Sequence, residues 1–289
     1  MKTQFKTFFA VAATAAAVSA FWMVQDAPLE AQQGASSNAI PRTPDGKPNF
    51  SGIWQTMNTA NWDLEPHEAR HGPLAALQAG AHLAFPPGLG VVEGGMLPYK
   101  AGMRDQKEQN QREWLKLDPT TQCKLPGVPR ATYMPYPFQI FQAPDATLIS
   151  YQFAGADRIV YMNKPDMEPQ VDTWMGTNVG SWDGDTLVID VMGQMPDTWF
   201  DRSGNYHSGW DMHVQERYTM LDRNTIQYSA TVNDPNTYER PWTMSMHIYR
   251  NQDETRLLEF KCVEFVEELL FGHLRAPGSP IGDGVTPIY

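Results

Sequence analysis

The sequence predicts an all-β protein: an antiparallel β-barrel with an irregular N-terminal arm and a few short helices. Two observations carry that prediction. From residue 138 the chain breaks into short runs rich in β-branched and aromatic residues, separated at regular intervals by turn signals. The later runs alternate apolar and polar residues with period two, the pattern of a sheet with one face inside and one in water.

The N-terminus reads as a targeting segment. Lys2 and Lys6 precede the Ala-rich apolar run TFFAVAATAAAVSAF, and small-x-Ala sites stand at Val18-Ser19-Ala20 and Leu29-Glu30-Ala31. That is the layout of a secretory signal peptide, here residues 1–31, and it places the mature chain in the periplasm or outside the cell. Polar residues interrupt the run too soon for a permanent membrane span.

Residues 32–137 read as a Pro/Gly-rich arm, with stretches such as PRTPDGKPNF, FPPGLGVVEGGMLPYK and LPGVPRATYMPYP. RDQKEQNQREWLKL, residues 104–117, predicts an exposed helix. Residues 138–289 read as the barrel with a C-terminal helix. The predicted strands are FQIFQ, TLISYQF, RIVYM, GSW, TLVIDVM, HVQERYTML, TIQYSATV, TMSMHIY and LLEFKCVEF. Asp183-Gly184 marks a tight hairpin, because Gly takes positive φ cheaply. Ile226, Tyr228, Ala230 and Val232 fall on one face; so do Trp242, Met244, Met246 and Ile248, and so do Leu258, Phe260 and Cys262. FVEELLFGHL, residues 265–274, predicts the closing helix. A Gly-x-Trp in NFSGIWQ resembles the opening strand of lipocalin-type barrels, so the expected fold is a calycin/lipocalin-like barrel.

Net charge is −11 with no Lys/Arg cluster, which excludes nucleic acid and an anionic membrane surface as partners. Two cysteines in an exported chain favour one disulfide, Cys123–Cys262, over two buried thiols. Closing a loop of about 140 residues contributes ~4 kcal/mol in the chain-entropy model.

Several segments together resemble a family of exported, β-rich bacterial proteins: PRTPDGKPNFSGIW, CKLPGVPRATYMPYPFQI, DTWMGTNVGSWDGDTLVIDV, TWFDRSGNYHSGWDMHVQERYT, DPNTYERPWTMSM and LLEFKCVEFVEELLFGHLR. The resemblance implies export and a β-rich fold and carries no reaction with it. Both cysteines fall within the matching segments.

Three places are candidates for chemistry. His67-Glu68-Ala69-Arg70-His71 spells the H-E-x-x-H zinc pattern, which needs both histidines one turn apart on a helix. Here Pro66 starts a helix that Gly72-Pro73 ends within two turns, no apolar anchor follows Glu68, and a third ligand would have to be Glu93 or His82 from loops. A short polar surface helix explains the segment better than a zinc site on His67 and His71, and no cofactor is expected.

Residues 198–217 are the second place. Long loops in compact domains are often functional. Strand parity puts Glu216 on the inward face, where a carboxylate is costly unless paired or protonated. Glu216, His207, His213 and Asp201 are therefore the candidate acid/base groups. The competing reading is a structural polar network, with Glu216 paired to Arg240 or to neighbours of Arg217.

The third place is a set of walls: Trp174, Met175, Trp182 and Trp199, with Arg130 and Tyr133 from the arm. Met244, Met246 and His247 have the look of a copper site, but core packing explains the methionines. No phosphate loop, dinucleotide fingerprint or nucleophile elbow occurs.

The leading expectation is a barrel holding a small, mainly apolar organic molecule, with or without cofactor-free acid/base chemistry. The alternatives are a zinc hydrolase using His67 and His71, and a structural envelope protein. Whether the chain is an enzyme, and in what oligomeric state, the residues leave open.

Overall fold

The computed structural model describes residues 39–70, 84–209, 211–253 and 255–271. The expected signal peptide, His71, His82 and the whole segment after Phe271 lie outside them.

Nine strands close into one barrel in chain order. They are β1 (Gly52–Thr56), β2 (Phe138–Gln142), β3 (Ala146–Tyr151), β4 (Asp157–Met162), β5 (Thr177–Asp183), β6 (Thr186–Met192), β7 (His213–Asp222), β8 (Thr225–Asn233) and β9 (Trp242–Arg250). The all-β barrel is as the sequence predicts, with two corrections to its construction.

The first concerns closure. The run 257–265 forms no strand; β9 instead pairs antiparallel with β1, Gln55 opposite Tyr249. The C-terminal segment is fixed from outside by the Cys123–Cys262 disulfide and by Phe260, whose ring lies 5.2 Å from Tyr136 and 5.0 Å from Phe153. Leu258 and Val263 stay exposed.

The second concerns direction. A ring of nine strands cannot be antiparallel at every junction, because reversing direction nine times never returns to the start. One pair must be parallel, and it is β4–β5, with Val160 opposite Asn178. Residues 163–176 form the crossover this requires.

Alternation places the core as predicted. Ile226, Tyr228, Ala230, Val232, Met244 and Ile248 are completely buried, and Trp242 and Met246 nearly so. His247 points outward. The hairpin after β5 turns at Gly184, with φ 60°.

The long β1–β2 connection carries the helices. The predicted 104–117 helix is two pieces, α1 (Met103–Arg112) and α2 (Trp114–Leu117). It is docked rather than free: Lys107, Asn110, Trp114 and Leu115 are buried. A short turn of helix, α3 (Arg130–Tyr133), packs its four residues into the interior. The helix expected around Pro66 does not form. Residues 67–70 run extended, with His67 bridging to Gly88 and Arg70 to Phe85. The His67 and Arg70 backbones instead exchange hydrogen bonds with Gly88 and Phe85. Val266–Phe271 forms α4 within the predicted closing helix.

Candidate functional sites

The inward side chains of β4, β7 and β8 build a polar centre in the lumen. Glu216 has no exposed surface. Its Oε2 accepts from Arg158 Nη1 at 2.5 Å, and its Oε1 from Arg158 Nη2 at 3.1 Å, Tyr218 at 3.0 Å and Tyr228 at 2.8 Å. Arg158 Nη1 also donates to Asn178 Oδ1 at 2.9 Å. From α3, the Thr132 hydroxyl reaches the Tyr151 hydroxyl at 3.2 Å. Burial opposes the charge on Arg158, yet Glu216 beside it holds the guanidinium well above the usual arginine range. Burial, reinforced by Glu216, pushes the Tyr218 and Tyr228 phenols well up. The partner of Glu216 is Arg158, not Arg240, which lies exposed near its own strand start. Arg158 shares the parity of Val160 and Met162, so this partner was findable in the sequence.

A second polar cluster lies where the β1–β2 connection meets the loop after β6. Asp201, also without exposed surface, accepts from Leu64 N at 2.8 Å and from Asn205 Nδ2 at 2.6 Å on Oδ2, and from Asn205 N at 3.1 Å on Oδ1. The same Asn205 amide reaches Asp63 Oδ1 at 3.3 Å. Lys107 and Arg70 each approach Asp63 Oδ2 at 3.8 Å. Burial, then the charge of Asp63, raises the Asp201 carboxyl to about 7. Asp63, Asn205 and Lys107 escaped the sequence reading because each becomes important only through a long-range neighbour.

His207 is buried against Phe200, with ring centroids 5.0 Å apart, and its Nε2 lies 2.7 Å from the Thr198 hydroxyl. Burial lowers its pKa to about 4, leaving a neutral ring at ordinary pH. His213 stands on the outer face, 3.0 Å from Asp190. The four candidate acid/base residues thus occupy three environments: Glu216 in the lumen, Asp201 and His207 in the buried loop layer, His213 outside.

The proposed walls are dispersed too. Met175 belongs to the core, and Trp199 packs with Phe85, Trp114 and Leu115. Trp174 donates to Asp197 at 3.1 Å. Trp182 stacks on Phe50 and borders a pocket of about 240 Å³ with Met162. Arg130 makes a two-pronged pair with Asp118, at 2.8 and 2.7 Å, and also donates to Asn61. Tyr133 donates to the Phe200 carbonyl at 2.7 Å. Arg130 and Tyr133 therefore serve to anchor α3.

A larger pocket opens outside the barrel. The β4–β5 crossover and the adjoining ends of β4 and β5 border an open depression of about 660 Å³, lined by residues that include Tyr161, Lys164, Met167, Glu168, Val171 and Thr177. Phe141, Leu148 and Ile159 stand opposite one another across β2, β3 and β4, and form an exposed apolar row that reaches Tyr161 on the same face of β4.

Among the described residues no group of three His, Cys, Asp or Glu side chains converges as a metal site requires. His67 spends its Nδ1 on the Glu65 carbonyl at 2.7 Å.

Fold and sites together define a closed β-barrel with a polar centre locked in its lumen and a pocket on its flank. No family model matches the chain, and no curated protein matches it either.

Proposed function

We propose that this is an exported binding protein for a small, mainly apolar organic molecule, and that the molecule sits under the β4–β5 crossover rather than in the lumen. One observation carries the reading. Glu216, Tyr218, Tyr228, Ala230, Val232, Met244 and Ile248 have no surface that water can reach, whereas the crossover pocket, about 660 Å³, has the size of a small-molecule site. Tyr161, Met167 and Val171 offer it apolar surface, and Lys164, Glu168 and Gln170 a polar rim. Export rests on the N-terminal prefix and agrees with a disulfide. Among the described residues no helix is long and apolar enough to cross a membrane.

The test is native mass spectrometry of the protein purified from its own host, beside a Val171→Arg variant that sets a charge on the pocket's apolar lining. A small molecule retained by the wild type and lost from the variant, with the circular dichroism spectrum unchanged, is the expected result. Equal retention by both would move the site elsewhere, and no retained molecule in either would remove the binding reading.

Acid/base chemistry is a second reading, favoured by the Asp201 carboxyl near neutrality. Because Asp201 is fully buried, it would act only after the segment carrying Leu64 moves aside.

A further inference from the structure

The segment 61–65 is tied to the loop 200–205 by a small set of bonds. Leu64 N donates to Asp201, Arg202 N donates to the Asn61 carbonyl at 2.9 Å, and Asn205 spans the two aspartates. Two carboxylates held by one amide in a dry layer cannot both ionise cheaply. The cations are unevenly placed. Lys107 from α1 and Arg70 both approach Asp63, and neither makes an ion pair with Asp201. The remaining groups that face Asp201 are Arg130 and Tyr133 from α3, Tyr99 before α1, and Tyr238 before β9. Arg130 is already committed to Asp118, and the Tyr99 hydroxyl donates to Asn205 Oδ1 at 3.0 Å. Asp201 is thus the member of the pair without a cation at ion-pair distance, Lys107, Arg70 and Arg130 acting on it only from further off.

We propose that Asp201, set beside Asp63 by the bridging Asn205 amide, is a proton-dependent latch: with Asp201 protonated the 61–65 segment is closed on the 200–205 loop, and loss of that proton puts a second negative charge into the dry layer and loosens it. The carboxyl of Asp201 titrates at about 7, raised from 3.8. A raised carboxyl stabilises the closed form fully below its unfolded pKa, and that stability is lost as pH rises through about 7. The latch is therefore tightest in acid and loosens across neutrality.

Carboxyl-carbon NMR titration of the intact protein tests the pair directly. Asp201 is expected to titrate near neutrality in the wild type, and at lower pH in Asp63→Asn, where the neighbouring charge is gone. Hydrogen exchange tests the latch. After correction for base catalysis, protection of the Leu64 amide should fall at least about tenfold between about pH 5.5 and about pH 8.5, as one pKa unit is a factor of ten. Protection of the Tyr228 amide in β8 should not change. An Asp201 midpoint in the ordinary aspartate range, a midpoint unmoved by Asp63→Asn, or pH-independent protection of Leu64 would each overturn the proposal. The wild-type titration needs no variant, so a misfolded Asp63→Asn protein leaves the test intact.

Discussion

Arg158 and Glu216 face each other across the lumen with both prongs of the guanidinium engaged on one carboxylate, and neither side chain touches solvent to a meaningful degree. Tyr218 and Tyr228 complete the shell around the carboxylate. A buried pair of this kind is weak evidence for stability in itself but makes each partner indispensable to the other. Glu216→Gln should therefore lower unfolding stability by about 3–5 kcal/mol, because it strands the Arg158 charge in a dry interior. Urea denaturation measures it. A loss under about 1 kcal/mol would mean that water enters the lumen and rehydrates the guanidinium.

The Cys123–Cys262 bond spans 139 residues and holds a C-terminal segment that adds no strand to the sheet. Replacing both cysteines with serine should cost about 2–5 kcal/mol, the usual range for a native disulfide. Because the nine-strand ring closes without residues 257–265, the barrel's far-ultraviolet spectrum should survive. Limited proteolysis of the variant should then cut first between β9 and α4. Loss of the whole β spectrum would show that the segment is needed for closure.

His207 carries the opposite pH signature to Asp201. Its ring protonates near 4 in the folded chain, against 6.5 as its ordinary value. Between these pH values the unfolded chain holds the extra proton, so stability is lost as pH falls from about 6.5 through about 4. A ring titration followed by NMR should place its midpoint near 4. A midpoint at the ordinary histidine value would show that the ring is hydrated.

Gly204 sits at φ 80° within the same loop, and a Cβ there would lie 2.3 Å from the Asn110 Cβ on α1. Gly204→Ala combines left-handed backbone strain with that clash and should cost more than about 1 kcal/mol. Thermal unfolding reads the loss. A melting temperature equal to the wild type's would show that α1 can move away from the loop.

Period-two alternation was legible because each strand reports its own facing. Ile226 to Val232 and Trp242 to Ile248 needed no partner to show which side is buried. The same parity put Glu216 inside the barrel. Alternation misled at 257–263, where Leu258 and Phe260 mimic a strand but the ring has no place for another. It was silent on closure by Gly52–Thr56, a strand separated from its β2 neighbour by the whole helical connection.

The H-E-x-x-H pattern shows the limit of a local motif. Pro66 and the charged run suggested a helix, yet the backbones of His67 and Arg70 pair with Gly88 and Phe85 instead. Similarly, residue type alone put His207 and His213 in one group of acid/base candidates. His207 is dry in the loop layer beside Phe200, whereas His213 opens β7 on the outer face and pairs with Asp190.

By itself the sequence determined the all-β class, most strand positions, the inward phase of Glu216 and the cysteine pair, since each follows from local periodicity or from the count of a residue type. Tertiary structure alone decided which strand closes the ring, that Arg158 answers Glu216, that Asp63 meets Asp201, and that the open pocket lies outside the lumen. Those facts depend on pairs of residues far apart in the chain, and the energy of burying a charge is set by the neighbour that folding delivers to it, not by the residues beside it.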